Sequence, residues 1–202
     1  MKKYSDYNII PLGDHCGIPI ILNQLKIRHS SYPFDWVTNK DQLYDSNIIY
    51  NIQLINELYT LDNIDNVDNI VNKYIGDAFL NNKLNSITNI WFPHDSDNII
   101  NNFEKYKRRF IKLKQDLYKK NIFILLTRHY YIEEDIFTKN IKQLLNYNSE
   151  SVILFISGIN HAYFENINNN NIIFKYIKYD SMKDYEYTIF RPNITNYLLS
   201  LI

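Results

Sequence analysis

The sequence predicts an α/β fold: one layered domain with a mainly parallel sheet flanked by helices. Three observations carry this. Two apolar runs of strand length, Ile122–Leu126 and Val152–Ile156, are apolar at every position, as in strands covered on both faces. A helical pattern lies between them, and a longer one precedes the first. The chain also opens as strand, tight turn and helix, so strands and helices alternate along its length.

Taken in order, residues 7–12 predict a short buried strand ending at Gly13. Over 16–28, Ile18, Ile21, Leu22, Leu25 and Ile27 recur at helical spacing. Asp14 is placed to cap that helix, and Pro19 falls in its first turn, where the missing N–H costs little. Residues 30–37 are irregular and aromatic. Residues 40–75 carry weaker helical periodicity, broken by the polar stretch 62–69, and 76–97 predict loop with a short strand. The stretch 40–97 is expected as a helical and loop insertion between the first strand–helix unit and the C-terminal α/β part. Over 98–120, Ile99, Phe103, Tyr106, Phe110, Leu113 and Leu117 form one apolar stripe, with Lys119 and Lys120 expected in the last turn. Then come a strand at 121–127, a helix at 136–147 with Ile136, Ile141, Leu144 and Leu145 inward, a strand at 151–157 and a more amphipathic strand at 171–179. A short closing helix is expected at 193–201.

Composition excludes several classes. The chain has 202 residues, enough for one core without disulfides. Its 22 basic and 22 acidic residues cancel, which argues against general nucleic-acid or anionic-membrane binding. No apolar run approaches the ~18 residues of a membrane span. One cysteine allows neither an internal disulfide nor a cysteine zinc cluster, and a reducing, cytoplasmic setting is expected. The 33 Ile and 29 Asn, with A/T-rich codons, suggest an AT-rich genome such as that of a large DNA virus, a parasite or an AT-rich bacterium, so Asn168–Asn171 reads as loop filler. With four glycines and no Walker or Gly-x-Gly-x-x-Gly pattern, a nucleotide loop is not expected. No cofactor and no metal are expected.

In parallel sheets, sites form beyond the carboxyl ends of strands. That rule singles out Gly13–Cys16, Thr127–Tyr131 and Gly158–His161. Cys16 follows a strand and a glycine turn at a helix start, where N–H groups favour a thiolate and could hold an oxyanion. The alternative is a small buried hydrophobe. A thiolate needs a base, and His15, His29, His94, His129 and His161 are available. His15 is adjacent to Cys16 and so diverges from it; His94, His129 and His161 remain open as partners. Asp35, between Phe34 and Trp36, could orient a histidine or accept backbone N–H bonds in a turn. Arg128 is placed to bind an anionic group; Arg108 and Arg109 lie on a helix face expected to be solvated.

Three segments together carry a resemblance: Leu12-Gly13-Asp14-His15-Cys16, Ser31-Tyr32-Pro33-Phe34-Asp35-Trp36, and Phe92-Pro93-His94-Asp95 followed by Tyr106-x-Arg108-Arg109-Phe110. In this order, over roughly residues 8–160, they resemble the family DUF1796, described as papain-like cysteine peptidases. The resemblance implies Cys16 as nucleophile, His94 as base and Asp35 or Asp95 orienting it. Asp14, His15, Trp36, Arg128 and His161 are expected around a peptide, isopeptide or acyl substrate. The alternating strands depart from a papain core, which places antiparallel strands after the nucleophile helix, and look Rossmann-like. The opening strand with Gly-Asp-x-Cys also resembles the first block of SGNH/GDSL esterases. Asp180 and Asp184 lie near the C-terminus, but no His follows His161, so that pattern is incomplete. A non-catalytic interaction protein is the alternative from another class.

Overall fold

The computed structural model describes residues 4–13, 16–39, 46–128, 131–167, 169–179 and 190–201. Its sheet has four parallel strands: β1 (Asn8–Pro11), β4 (Asn121–Thr127), β5 (Val152–Ser157) and β6 (Ile172–Tyr176), in the order β1-β4-β5-β6. The fold is therefore mixed α/β and single-domain, with helices on both sides of the sheet. Side chains alternate between faces along each strand. Ile10, Phe123, Leu125, Ile153 and Phe155 point to one core. Ile9, Ile122, Ile124, Leu126, Leu154 and Ile156 point to the other. Both faces are covered, which is why β4 is apolar from Ile122 to Leu126 and β5 from Val152 to Ile156.

On the second face lie α1 (Gly17–Gln24), through Ile18, Ile21 and Leu22, and α6 (Phe190–Leu201), through Ile194 and Leu198. The first face carries α2 (Ser46–Thr60), α3 (Val67–Ile75), α4 (Ile99–Asp116) and α5 (Glu134–Tyr147), around a cluster that includes Tyr74, Phe110 and Phe137. Lys114 of α4 donates to the carbonyls of Leu58, Tyr59 and Leu61, so a cation closes the carbonyl end of α2. Pro11 ends an edge strand; Leu12 N, not Pro11, bonds Ile124 O at 2.7 Å, so the proline costs no ladder bond.

Several expectations are corrected. α1 stops at Gln24 because Lys26 turns left-handed (φ 57°). Ile27 N then bonds Leu22 O and Lys26 N bonds Asn23 O, both at 3.1 Å, which closes the helix in a Schellman arrangement. α4 ends at Asp116, so Lys119 and Lys120 lie beyond it. Ile136 and Ile99, at helix starts, are exposed rather than inward. The tail helix begins at Phe190, three residues early. A two-residue antiparallel pair, β2 (Thr38–Asn39) with β3 (Ile90–Trp91), was not expected over 38–39. It joins the Pro33–Trp36 segment to Phe92–Asp95.

Candidate active site

Cys16 stands at the N-cap of α1, just past the carboxyl end of β1, half-buried. Its carbonyl accepts the first bond of the helix, from Ile20 N at 3.2 Å. Parallel pairing of β1 with β4 brings the end of β4 alongside, and Arg128 follows that strand, buried. Gly158 follows β5 and donates to Thr127 O at 2.9 Å. A Cβ on Gly158 would lie 2.3 Å from Arg128 O, so only glycine lets these strand ends close up. The same sheet face carries α6, whose first turn holds Arg191.

Two effects compete at the sulfur. Burial pushes the Cys16 thiol above its ordinary value. Its own backbone N–H and the charges of Arg191 and Arg128 pull the other way and do not prevail. At this sulfur burial thus outweighs the helix start and the two arginines.

The remaining expected residues are dispersed. His94 is exposed, its ring edge-on to Trp36 at 5.9 Å, a contact made by the β2–β3 pair. Among the described residues it makes no hydrogen bond to Cys16, Asp35 or Asp95. Asp35 is fully buried and locally engaged: Oδ2 accepts from Tyr32 N at 2.8 Å and from the Arg28 guanidinium. Burial raises its pKa, against Arg28. It holds its own turn and does not orient a histidine. Arg28 also stands 5.4 Å over the Trp36 ring, which is half-buried. Asp95 accepts from Lys105 and, at 2.8 Å, from the Tyr106 hydroxyl. The expected pairing of His94 with Asp35 or Asp95 is therefore not formed.

His161 is fully buried, and both ring nitrogens face main chain: Ile132 N donates to Nε2 at 3.0 Å, and Nδ1 lies 3.1 Å from Ile159 O. It offers no polar atom to a substrate, which corrects its expected binding role. Arg108 is exposed, as expected of a solvated face, whereas Arg109 is half-buried over Tyr106 at 5.4 Å. Asp14, His15, His129, Asp180 and Asp184 lie outside the described residues. Arg191 is the site residue that sequence reasoning missed; the available signal was Pro192, which favours a helix's first turn. Among the described residues no group of three His, Cys, Asp or Glu could hold a metal ion, and no helix is long and apolar enough to cross a membrane.

Fold and site together define an α/β protein with a cysteine at the carboxyl edge of its sheet. The family model described as "Putative papain-like cysteine peptidase (DUF1796)" matches residues 7–53. That span holds β1, Cys16, α1, Asp35 and Trp36 and stops short of His94. No curated protein and no solved structure matches the chain.

Proposed function

We propose that this protein is a cysteine-dependent hydrolase of peptide, isopeptide or other acyl substrates, with Cys16 as nucleophile. The observation that supports it is the setting of Cys16: half-buried, at the start of a helix beyond β1, with the charges of Arg128 and Arg191 acting on its sulfur. A histidine takes the thiol proton as Sγ attacks the acyl carbon; the tetrahedral oxyanion collapses to a thioester, and the leaving group departs with that proton. Water, deprotonated by the same imidazole, then cleaves the thioester and restores the thiol. Because burial raises the thiol pKa, proton removal accompanies attack rather than preceding it. The two arginines and the α1 start favour the negative charge that develops. The filled nitrogens of His161 and the exposed seat of His94 argue for His129, next to Arg128 in sequence, as proton acceptor.

The test is acyl transfer from p-nitrophenyl acetate, with the acetylated residue located by mass spectrometry. Acetyl-Cys16 is expected, faster than on a small thiol, rising with pH as the imidazole loses its proton, then level until the thiol itself titrates, and absent in Cys16→Ala. His129→Gln should slow it by about 10²–10⁴-fold, with His94→Ala near wild type. A reversed order would move the base to His94. Acylation no faster than a small thiol's and indifferent to both variants would refute the hydrolase. That result would favour a non-catalytic binding protein, the reading to which the raised thiol pKa also conforms.

A further inference from the structure

Strand β6 is an edge: it pairs with β5 alone in the described sheet. Ile153 N bonds Asn171 O at 2.7 Å and Ile177 N bonds Ser157 O at 2.8 Å, so the odd-numbered residues spend their main-chain groups on β5. The two-residue alternation turns the N–H and C=O of Phe174 and Tyr176 outward. Beside this edge, between β6 and α6, runs an open groove of 490 Å³ lined by Lys175, Tyr176, Lys178, Asn193, Asn196 and Tyr197. Lys175 lies 5.1 Å over the Tyr197 ring. Among the described residues neither Lys175 nor Lys178 forms an ion pair. The chain as a whole is neutral, yet the residues that line this groove include two lysines and no Asp or Glu. Lysines on an edge also repel the same edge of another copy, which disfavours self-pairing.

We propose that the β6 edge and its groove are a docking site for an extended acidic peptide segment, which adds to the sheet as a fifth strand. Main-chain bonds to Phe174 and Tyr176 supply the pairing. Alternate carboxylates on the α6 side meet Lys175 and Lys178, and the apolar side chains between them face the other way, beside Phe174 and Tyr176. The site is separate from Cys16 and holds whatever the chemistry there.

The probe is a terminally blocked hexapeptide of alternating Glu and Val, titrated by fluorescence anisotropy, with amide exchange read at Phe174 and Tyr176. Saturable binding is expected, weakened by salt, with both amides protected. The double variant K175E/K178E should weaken it by about tenfold or more. Tyr176→Pro, which removes an outward donor and no ladder bond, should also weaken it while leaving the melting temperature near wild type. Three results would overturn the proposal: no binding, equal binding of a Lys–Val hexapeptide, or binding indifferent to both variants. So would protection of the two amides by self-association without peptide.

Discussion

His161 carries a proton balance that acid should upset. Ile132 N donates to Nε2, so Nε2 is the bare nitrogen and Nδ1 carries the hydrogen, donated to Ile159 O. The ring stacks on Tyr131 with centroids 4.8 Å apart and an interplanar angle of 7°, and its other faces meet Phe155 at 5.1 Å and Phe174 at 5.8 Å. A second proton would bring two donors face to face in an apolar pocket. Burial accordingly lowers the pKa below 6.5, only partly offset by the bond to Ile159. The unfolded chain therefore binds this proton more readily than the folded one. The group's stabilising effect is complete above pH 6.5 and is lost as pH falls through that value toward the folded pKa. For a single proton the slope cannot exceed about 1.4 kcal/mol per pH unit. His161→Gln keeps an acceptor near Ile132 N and removes the titration. His161→Phe leaves Ile132 N–H and Ile159 C=O unpaired, at about 1–3 kcal/mol each. Urea denaturation of wild type and His161→Gln between pH 8 and pH 5 isolates the effect, because the exposed His29 and His94 are common to both. The stability gap should narrow as pH falls below 6.5. A gap constant across that range would refute a buried neutral imidazole.

Two further outcomes follow from backbone geometry. Lys26→Gly should raise stability by about 1 kcal/mol in thermal or urea denaturation, because the exposed Lys26 holds φ 57° at the position where a Schellman ending favours glycine; a loss would show that its side chain matters. Gly158→Ala should cost about 1–3 kcal/mol, because its Cβ would fall 2.3 Å from Arg128 O and 2.7 Å from Tyr179 Cβ, and moving Arg128 should slow acylation of Cys16; unchanged stability would show that the strand ends can part freely.

The fold was legible where signals are local. The strand over 121–127 stands where its apolar run Ile122–Leu126 reads, and 152–157 is one residue short of expectation, because burial on both faces removes polar residues from the strand interiors. The β2–β3 pair was not legible: two residues carry no periodicity, and their partners are some fifty positions apart. At the site, position could be read but partnership could not. Cys16 and Arg128 flank a sheet end because chain order puts them after β1 and β4. Lying between two aromatics, Asp35 left two readings open: a carboxylate that orients a histidine, or one that accepts N–H bonds in its own turn. The aromatics decide for the second. Phe34 inserts against Tyr74 at 5.6 Å and Phe110 at 6.0 Å, and the turn that sends it inward also buries Asp35. A carboxylate buried that deeply must find donors at hand, and Tyr32 N and Arg28 are the local ones. The same packing that makes the segment distinctive in sequence thus removes its acid from the chemistry. What is left for the proposed chemistry is the sheet edge, where the charges of Arg128 and Arg191 act on Cys16 from two distant parts of the chain.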